Sequence, residues 1–391
     1  MLYFIVLICL CINIPVQAQK NIRITSDVCI IGAGSAGIGA ALAAARAGAD
    51  VVVIDKNSKI GGTSTQAYVN NWEPGPGCSY SQEIFERMSK NPGQIGVARN
   101  QHVHTSEEPY QLWLIDNKLS YNHTLRRFEG ERLPFDVDEF DRVTRQMLNE
   151  TGKCKLLLNT SFTKAQAKNN RIENIEAVST SGNTFVVKAK VFIDCSGIAA
   201  LCRNLGCETM VGAEPKSRFG EPSAPDDTNR KVNAISLCYQ IKPSKDTNYI
   251  NSGDPSGFTY DAAAWVTGPV GQESKLTLNP YGIIEGEDYF NQPYDTVYFR
   301  ARKLIDKHWA KIRTYPPFRN YVFDSYAPEL GIRESYRVVC EYILTQNDLV
   351  LGVFRQPHHD LITLADHPMD IHGKDGVLKE LEEAYGIPYR C

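Results

Sequence analysis

Three glycines and an acid carry the most specific chemistry in this chain. Gly32-x-Gly34-x-x-Gly37 stands inside residues 27–56, DVCIIGAGSAGIGAALAAARAGADVVVIDK, and Asp55 follows roughly twenty residues after the first glycine. Gly32 allows a sharp turn, Gly34 lets the backbone approach a pyrophosphate, and Gly37 lets a helix pack close to a strand. The free N–H groups and partial positive charge at a helix N-terminus suit phosphates. An acid at the spacing of Asp55 accepts hydrogen bonds from ribose hydroxyls. The pattern points to dinucleotide binding. A glycine-rich buried unit that binds nothing would not need the acid.

The elements that must hold these residues are readable around them. Val28, Ile30 and Ile31 belong to an apolar run of the kind found in a parallel strand buried on both faces. An alanine-rich helix follows and stops at Gly48, and Val51 to Ile54 form a second strand. Gly61, Gly62 and Thr63 then open a flexible loop lined with donors. In FAD proteins of the Rossmann type such a loop runs along the pyrophosphate towards the flavin; the alternative is a plain surface turn. Tyr68 to Trp72 would place aromatics and amides behind it, and residues 73–77 read as a loop. Ser81 to Met88 reads as a helix. A second helix begins near Asp136 or Asp138, with Phe140, Val143, Met147 and Leu148 at helical spacing. His102 and His104 alternate in a polar stretch that reads as an exposed loop, with a flavin-linking or catalytic histidine as the alternative.

From Lys153 to Gly197 the period changes to two. KLLLNTSF, NIEAVST, TFVVKAK and VFIDCSG read as successive strands with turns at 168–170 and 181–183. The last ends Asp194-Cys-Ser196-Gly197, a D-x-[ST]-G ending that recurs beside the cofactor in FAD-binding sheets. Residues 233–241 read as a strand. Asp295 reads as the cap of a helix that puts Val297, Ala301, Leu304, Ile305, Trp309 and Ile312 on one face and ends at Pro316-Pro317. In GIRESYRVV, Arg333, Ser335, Arg337 and Val339 would share one face of a strand, either as an ordered charged site or as a surface ladder of ion pairs. His358, His359, His367 and His372 have no metal-ligand spacing, and no metal is expected.

The 391 residues are 42% hydrophobic and 22% charged with a net charge of −3, an ordinary globular balance. No basic run suggests nucleic acid or an anionic membrane surface. Leu2 to Ile14 is apolar but too short to span a bilayer, and Val16-Gln17-Ala18 offers a signal-peptidase site. Residues 1–18 are therefore expected to be a cleaved secretory signal, with Gln19 as the first mature residue, a periplasmic or secreted location and no membrane span after cleavage. Of eleven cysteines, Cys9 and Cys11 would leave with the signal, and an odd number remains. A disulfide among these is compatible with an oxidising compartment, without a readable pairing. Asn122, Asn149 and Asn159 stand in glycosylation sequons.

Taken together, IIGAGSAGIGA, IDK, IGGT, IDCSG and GIRESYRVVCEYIL resemble, in order and spacing, an FAD-dependent oxidoreductase family that includes secreted bacterial proteins labelled xanthan lyase-like. FGEPSAP, YVFDSYAP and DIH are similar too. More distantly the chain resembles the fumarate reductase and succinate dehydrogenase flavoproteins. The resemblance runs from about residue 25 to the end. It implies an α/β fold: a Rossmann-like FAD-binding domain of the glutathione-reductase type (residues 19–212, parallel sheet plus three-strand meander). An α+β substrate or cap domain is inserted (213–330), and the chain then returns to the FAD domain (331–391). It implies that Gly32, Gly34, Ser35 and Gly37 hold the pyrophosphate, and Asp55 with Lys56 the ribose. Gly61, Gly62 and Thr63 would follow the pyrophosphate, Phe162 and Thr163 border the adenine, and Asp194, Ser196 and Gly197 close the site. Arg333 and Glu334 would approach the flavin as the catalytic pair. The resemblance also implies a further strand and helix beyond Ile387-Pro-Tyr-Arg that would cap the flavin, so a chain ending at Cys391 is expected to lack one wall of the pocket. The expected activity is hydride transfer between FAD and a small molecule, with sugar-derived compounds as one class. No second glycine fingerprint occurs, so an external electron donor or acceptor is required. The alternatives are a truncated, non-catalytic flavoprotein remnant and an NAD-dependent dehydrogenase. Asp55 suits NAD equally well, while the Gly61-Gly62 loop and the DCSG ending favour FAD.

Overall fold

The computed structural model describes residues 20–72, 79–91, 96–99, 112–114, 131–245, 264–267, 275–280, 282–314, 318–365, 369–370, 378–379, 381 and 384–391. The expectations for the leader, the loop 73–77, His102, His104, the Asn122 sequon, Pro316-Pro317, His367 and His372 lie outside the described residues.

The described residues start with strand β1 (Asn21–Ile31), helix α1 (Ser35–Arg46), strand β2 (Val51–Ile54) and a single helical turn, α2 (Thr63–Gln66). Helices α3 (Ser79–Met88) and α4 (Val137–Glu150) follow. Asp136 caps α4, its carboxylate accepting from the N–H groups of Asp138 and Glu139 at 2.9 Å. Short strands Asn71–Trp72, ahead of α3, and Gly96–Arg99, Leu112–Leu114 and Glu131–Pro134, between α3 and α4, form a small sheet where the sequence had suggested none. Strands β3 (Cys154–Leu157), β4 (Thr160–Lys168), β5 (Arg171–Ser179) and β6 (Thr184–Asp194) complete the main sheet, in the order β3-β2-β1-β6-β5-β4.

β3, β2, β1 and β6 run parallel, whereas β6-β5-β4 is an antiparallel meander. β6 therefore belongs to both halves. TFVVKAK and VFID are one strand, not two, because β1 pairs with β6 along its whole length, from Asn21↔Thr184 to Ile31↔Asp194. For the same reason β1 begins at Asn21 rather than near Val28. KLLLNTSF divides the other way. It breaks at Asn159 (φ +50°) into the last parallel strand and the first strand of the meander.

Alternation along the parallel strands feeds two cores. Ile30 and Val53 point to a layer with Leu42 of α1, Met88 of α3, and Phe140 and Met147 of α4. Cys29, Ile31, Val52 and Ile54 point to the opposite layer, with Ile175, Ala177 and Val187 of the meander and Leu201. All four residues of β2 are buried, as a strand covered on both faces must be.

Beyond the sheet come α5 (Ala200–Asn204) and β7 (Thr209–Met210). A third core then forms from β8 (Tyr239–Pro243), β10 (Leu276–Pro280), α6 (Tyr294–Ile312) and β11 (Tyr321–Tyr326), with β9 (Ala264–Thr267) paired to β10. Its sheet order is β9-β10-β8-β11. The expected apolar face of α6 is the observed one: Val297, Ala301, Ile305, Trp309 and Ile312 are buried and Leu304 packs beside them. The N-cap is Pro293, with Asp295 inside the first turn. The expected strand 233–241 is ordered as β8 plus isolated bridges at Ile235 and Ser236. β12 (Arg337–Val338) pairs antiparallel with β7. The expected strand 333–339 shrinks to these two residues because its ends meet different neighbours: Gly331 is bridged to Ser236, and Arg337 to Met210.

Candidate functional site

The carboxyl ends of the parallel strands β1, β2 and β6 lie at one edge of the sheet, where α/β folds bind ligands. The turn after β1 is possible only with glycine. Gly32 has φ +98° and donates its N–H to the Ile54 carbonyl at 2.8 Å. A Cβ there would lie 2.3 Å from the Cys195 oxygen, and one on Gly37 would lie 2.0 Å from the Gly32 oxygen. α1 begins at Ser35 with Gly34 as N-cap and no side chain capping it. Ser35 and Ala36 are exposed. The first-turn N–H groups and the positive end of the helix dipole are left for an anion.

The second glycine pair lies directly over this turn. Gly61 donates its N–H to the Ala33 carbonyl at 2.8 Å, and a Cβ on Gly62 would sit 2.9 Å from Gly34 Cα. Gly61 (φ +112°) and Gly62 (φ +54°) are both in the left-handed half of backbone space. Behind them the loop is pinned. The Ile60 N–H donates to Asp141 of α4 at 2.7 Å, and the Thr65 hydroxyl to the Ile60 carbonyl at 2.8 Å. Thr63 starts α2 beside Gly62.

Asp55 closes β2 beside the same turn. Its carboxylate accepts from the Ala33 N–H at 2.7 Å and the Asn57 N–H at 2.8 Å. Two backbone donors occupy about half of its acceptor sites. Burial raises its pKa above the ordinary aspartate value and the charge of Glu329 adds to this, while the two backbone donors work against both. Glu329 also pairs with Lys56 at 2.6 Å and donates its backbone N–H to the Gln66 carbonyl at 2.9 Å. Sequence reasoning missed Glu329. Nothing local distinguishes one acid in APEL, and its partners are far away along the chain.

Asp194 is the most heavily bonded acid of the group. It accepts from the Ser196 N–H at 3.0 Å, the Ser196 hydroxyl at 2.6 Å, the Leu201 N–H at 2.9 Å and the Cys202 N–H at 3.1 Å. Ser196 Oγ in turn accepts from the Ala200 N–H at 2.8 Å. Asp194 and Ser196 thus spend their oxygens on their own chain. They shape the turn whose Cys195 N–H donates to the Ile31 carbonyl. Gly197 (φ +73°) faces open space within 4 Å of where a side chain would start. Thr160 donates its backbone N–H to the Asp55 carbonyl at 2.9 Å, which brings the start of β4 to the acid. Two residues on, the register shifts between Phe162 and Lys164, so Thr163 is a bulge outside the ladder.

Arg333 and Glu334 sit on the segment between the third core and β12. Arg333 is exposed and makes no hydrogen bond or ion pair with a described residue. Glu334 accepts from the Asn233 N–H at 2.8 Å. Arg337, two residues on, is paired with Glu214 at 2.9 Å, so the two arginines do not form one charged site. Ser335 Oγ is buried without a hydrogen-bond partner among the described residues. Among the described residues no cluster of histidine, cysteine or acid could hold a metal.

A glycine-framed, uncapped helix end beside a half-buried acid fits the diphosphate and ribose of FAD. The family model described as FAD dependent oxidoreductase matches residues 27–391. The chain belongs to this family. As a family member it is an FAD-dependent oxidoreductase, and FAD is its cofactor. No curated protein matches it. Solved structures similar to this FAD dependent oxidoreductase include p-nitrophenol 4-monooxygenase PnpA from Pseudomonas putida DLL-E4, at 11% identity and TM-score 0.47 over 83% of this chain and 71% of that one. A geranylgeranyl bacteriochlorophyll reductase-like protein from Thermoplasma acidophilum is similar at 14% identity and TM-score 0.45, over 79% and 66%. The flavin-dependent brominase Bmp2 is similar at 15% identity and TM-score 0.46, over 82% and 70%.

Proposed function

We propose that this FAD-dependent oxidoreductase is a secreted or periplasmic enzyme that transfers a hydride between FAD and a small organic molecule. The observation that carries it is the open end of α1, framed by Gly32, Gly34 and Gly37 and overlaid by Gly61 and Gly62. FAD supplies hydride acceptance and donation at its ring system. The residues of the chain bind and orient. The N–H groups of the first turn of α1, beginning at Ser35, receive the pyrophosphate. Asp55 accepts from ribose hydroxyls with its remaining lone pairs, and Lys56 stays beside it, tethered to Glu329. Thr163 and Phe162 border the adenine. Thr63 extends the donor row along the pyrophosphate. Asp194 and Ser196 keep the Gly197 turn in place without touching the cofactor themselves.

Arg333, with its guanidinium unpaired, attracts an anionic substrate group or the negative charge of a reduced ring. Glu334, fixed by the Asn233 N–H, holds a substrate hydroxyl or moves its proton. No second glycine fingerprint is present in the sequence, so the electron donor or acceptor comes from outside the chain. Sugar-derived hydroxyl compounds are the first substrate class to assay. The apolar run Leu2–Ile14 followed by Val16-Gln17-Ala18 supports export. Among the described residues no helix is long and apolar enough to cross a membrane.

The test begins with the visible spectrum of purified protein and acid release of its cofactor, then anaerobic mixing with candidate substrates. Bleaching of bound flavin by a C–H-deuterated substrate should be slowed relative to the undeuterated one. Arg333→Ala should keep the flavin spectrum and lose most of this bleaching. A variant that bleaches at the wild-type rate removes Arg333 from the reaction, and the absence of any isotope effect counts against hydride transfer. N-terminal sequencing of exported protein should begin at Gln19. Protein retaining Met1 would overturn the export reading.

A further inference from the structure

α5 ends in a Schellman motif. The Gly206 N–H donates to the Arg203 carbonyl at 3.1 Å, and the Cys207 N–H donates to the Cys202 carbonyl at 3.0 Å. Gly206 is left-handed, with φ +78°. This motif brings the side chain just past the glycine against the one three positions inside the helix end, a contact usually made by two apolar residues. Here both positions are cysteine, and their side chains lie within hydrogen-bonding reach of one another. Cys202 is half-buried and Cys207 exposed. The buried Cys29, in β1, and Cys238, just ahead of β8, lie in apolar cores and have no such access.

We propose that Cys202 and Cys207 form a reversible disulfide across the end of α5, made by exchange with a small-molecule disulfide. The exposed Cys207 thiolate attacks one sulfur of the small disulfide and expels one thiolate, leaving a mixed disulfide. The Cys202 sulfur then attacks Cys207, its proton passes to solvent, and the second small thiolate leaves. Two cysteine thiols are oxidised, and one small disulfide is reduced to two thiols. Burial first, then the neighbouring Asp194 charge, pushes the Cys202 thiol up to about 12. The second step is therefore the slow one, and it accelerates as pH rises.

The bridge would fix a helix with three other ties. Asp194 holds the N-terminal end of α5, Asn204 Oδ1 accepts from the Ala165 N–H of β4 at 2.8 Å, and the Arg203 guanidinium lies 3.5 Å from the Tyr336 ring centroid. Oxidation thus stiffens the piece that joins the DCSG turn, the meander and the Arg333 segment.

Cys340 is the rival partner. Continuing the β7–β12 register, with Val339 N–H donating to the Glu208 carbonyl at 3.0 Å, places Cys340 opposite Cys207. Trypsin separates the possibilities, because Arg203 lies between the proposed partners. Peptide 191–203 carries Cys195 and Cys202, peptide 204–216 carries Cys207, and peptide 338–355 carries Cys340. The FAD-loaded full chain is incubated with oxidised glutathione, alkylated and mapped. Expected is a bridge between 191–203 and 204–216, placed at Cys202 by fragmentation, with two free thiols lost and both restored by dithiothreitol. Cys340→Ser should leave the bridge, and Cys207→Ser should abolish it. The native chain should bridge at a glutathione ratio about tenfold more reducing than the urea-unfolded chain. A bridge to 338–355 or to Cys195, a glutathione adduct that persists on Cys207, or equal bridging in urea would each overturn the proposal.

Discussion

Replacing Asp194 by alanine separates a cofactor ligand from an internal brace. The carboxylate accepts from the N–H groups of Ser196, Leu201 and Cys202 and from the Ser196 hydroxyl. The hydroxyl can turn elsewhere; the three backbone donors cannot. A buried donor left without an acceptor costs about 1–3 kcal/mol, and for partly buried groups the lower end applies, so the loss is about 3 kcal/mol. For a unit of roughly 200 residues the unfolding entropy is about 0.4 kcal/mol/K, and Tm falls by about 7 °C. Asp194→Asn keeps one acceptor oxygen but turns an NH2 towards the donors, so it should lie between wild type and the alanine variant. The assay is thermal unfolding of FAD-stripped protein beside an FAD titration read by flavin fluorescence. The reasoning predicts that stripped protein already shows the full loss. If stripped Asp194→Ala melts with wild type while its FAD affinity drops tenfold, Asp194 is a direct ligand and the bracing account is wrong.

Two glycines of one helix should respond in opposite directions. Gly37→Ala puts a Cβ 2.0 Å from the Gly32 oxygen and should cost about 1–3 kcal/mol and empty the flavin site, whereas Gly39→Ala meets nothing within 4 Å and should stabilise by up to roughly 1 kcal/mol, both measured by urea unfolding. For Asp55 the pH dependence has a definite sign. Its folded value is raised by burial, so its contribution to the stability of the cofactor-free fold is present below the unfolded value and is lost as pH rises through the folded one. Ribose hydroxyls need the ionised form, so FAD affinity should weaken on acidification sooner than an ordinary aspartate near pH 3.9 would allow. Asp55→Asn should bind FAD at least about tenfold more weakly, the loss of a hydrogen bond to a charged group, and should abolish that pH dependence. A variant whose affinity still tracks pH as wild type does would move the titration to another group.

The nucleotide-binding half was legible because its signals are local. The glycines, the stop at Gly48 and the acid after β2 constrain their own neighbours, and α4 announces its cap in Asp136. Strand limits were not legible, because pairing sets them. Nothing in TFVVKAKVFID tells that its partner on one side runs the full length while β5 covers only Thr184 to Val187. The alternation of Arg333, Ser335, Arg337 and Val339 suggested one strand face, but two distant neighbours, Ser236 and Met210, divide it. The DCSG ending marked the carboxyl end of β6. What it could not reveal was that Asp194 turns inward, since that depends on α5 folding back over it. Glu329 had no local signature at all; only the tertiary fold brings it to Lys56.

The double membership of β6 has a kinetic consequence. β1 is made early, yet its neighbour on one side, β6, lies about one domain length further along the chain, and its other neighbour, β2, covers only Val28 to Ile31. Residues Asn21 to Ser26 of β1 cannot pair until their partners in β6, Thr184 to Ala189, have been made and delivered to them. Parallel pairing across so long a loop pays its closure entropy before any contact rewards it. The meander, whose strands are adjacent in sequence, is therefore expected to assemble first and to template β1. Until then the upstream half of β1 is an open edge, the segment on which a holding chaperone or an aggregating neighbour would act.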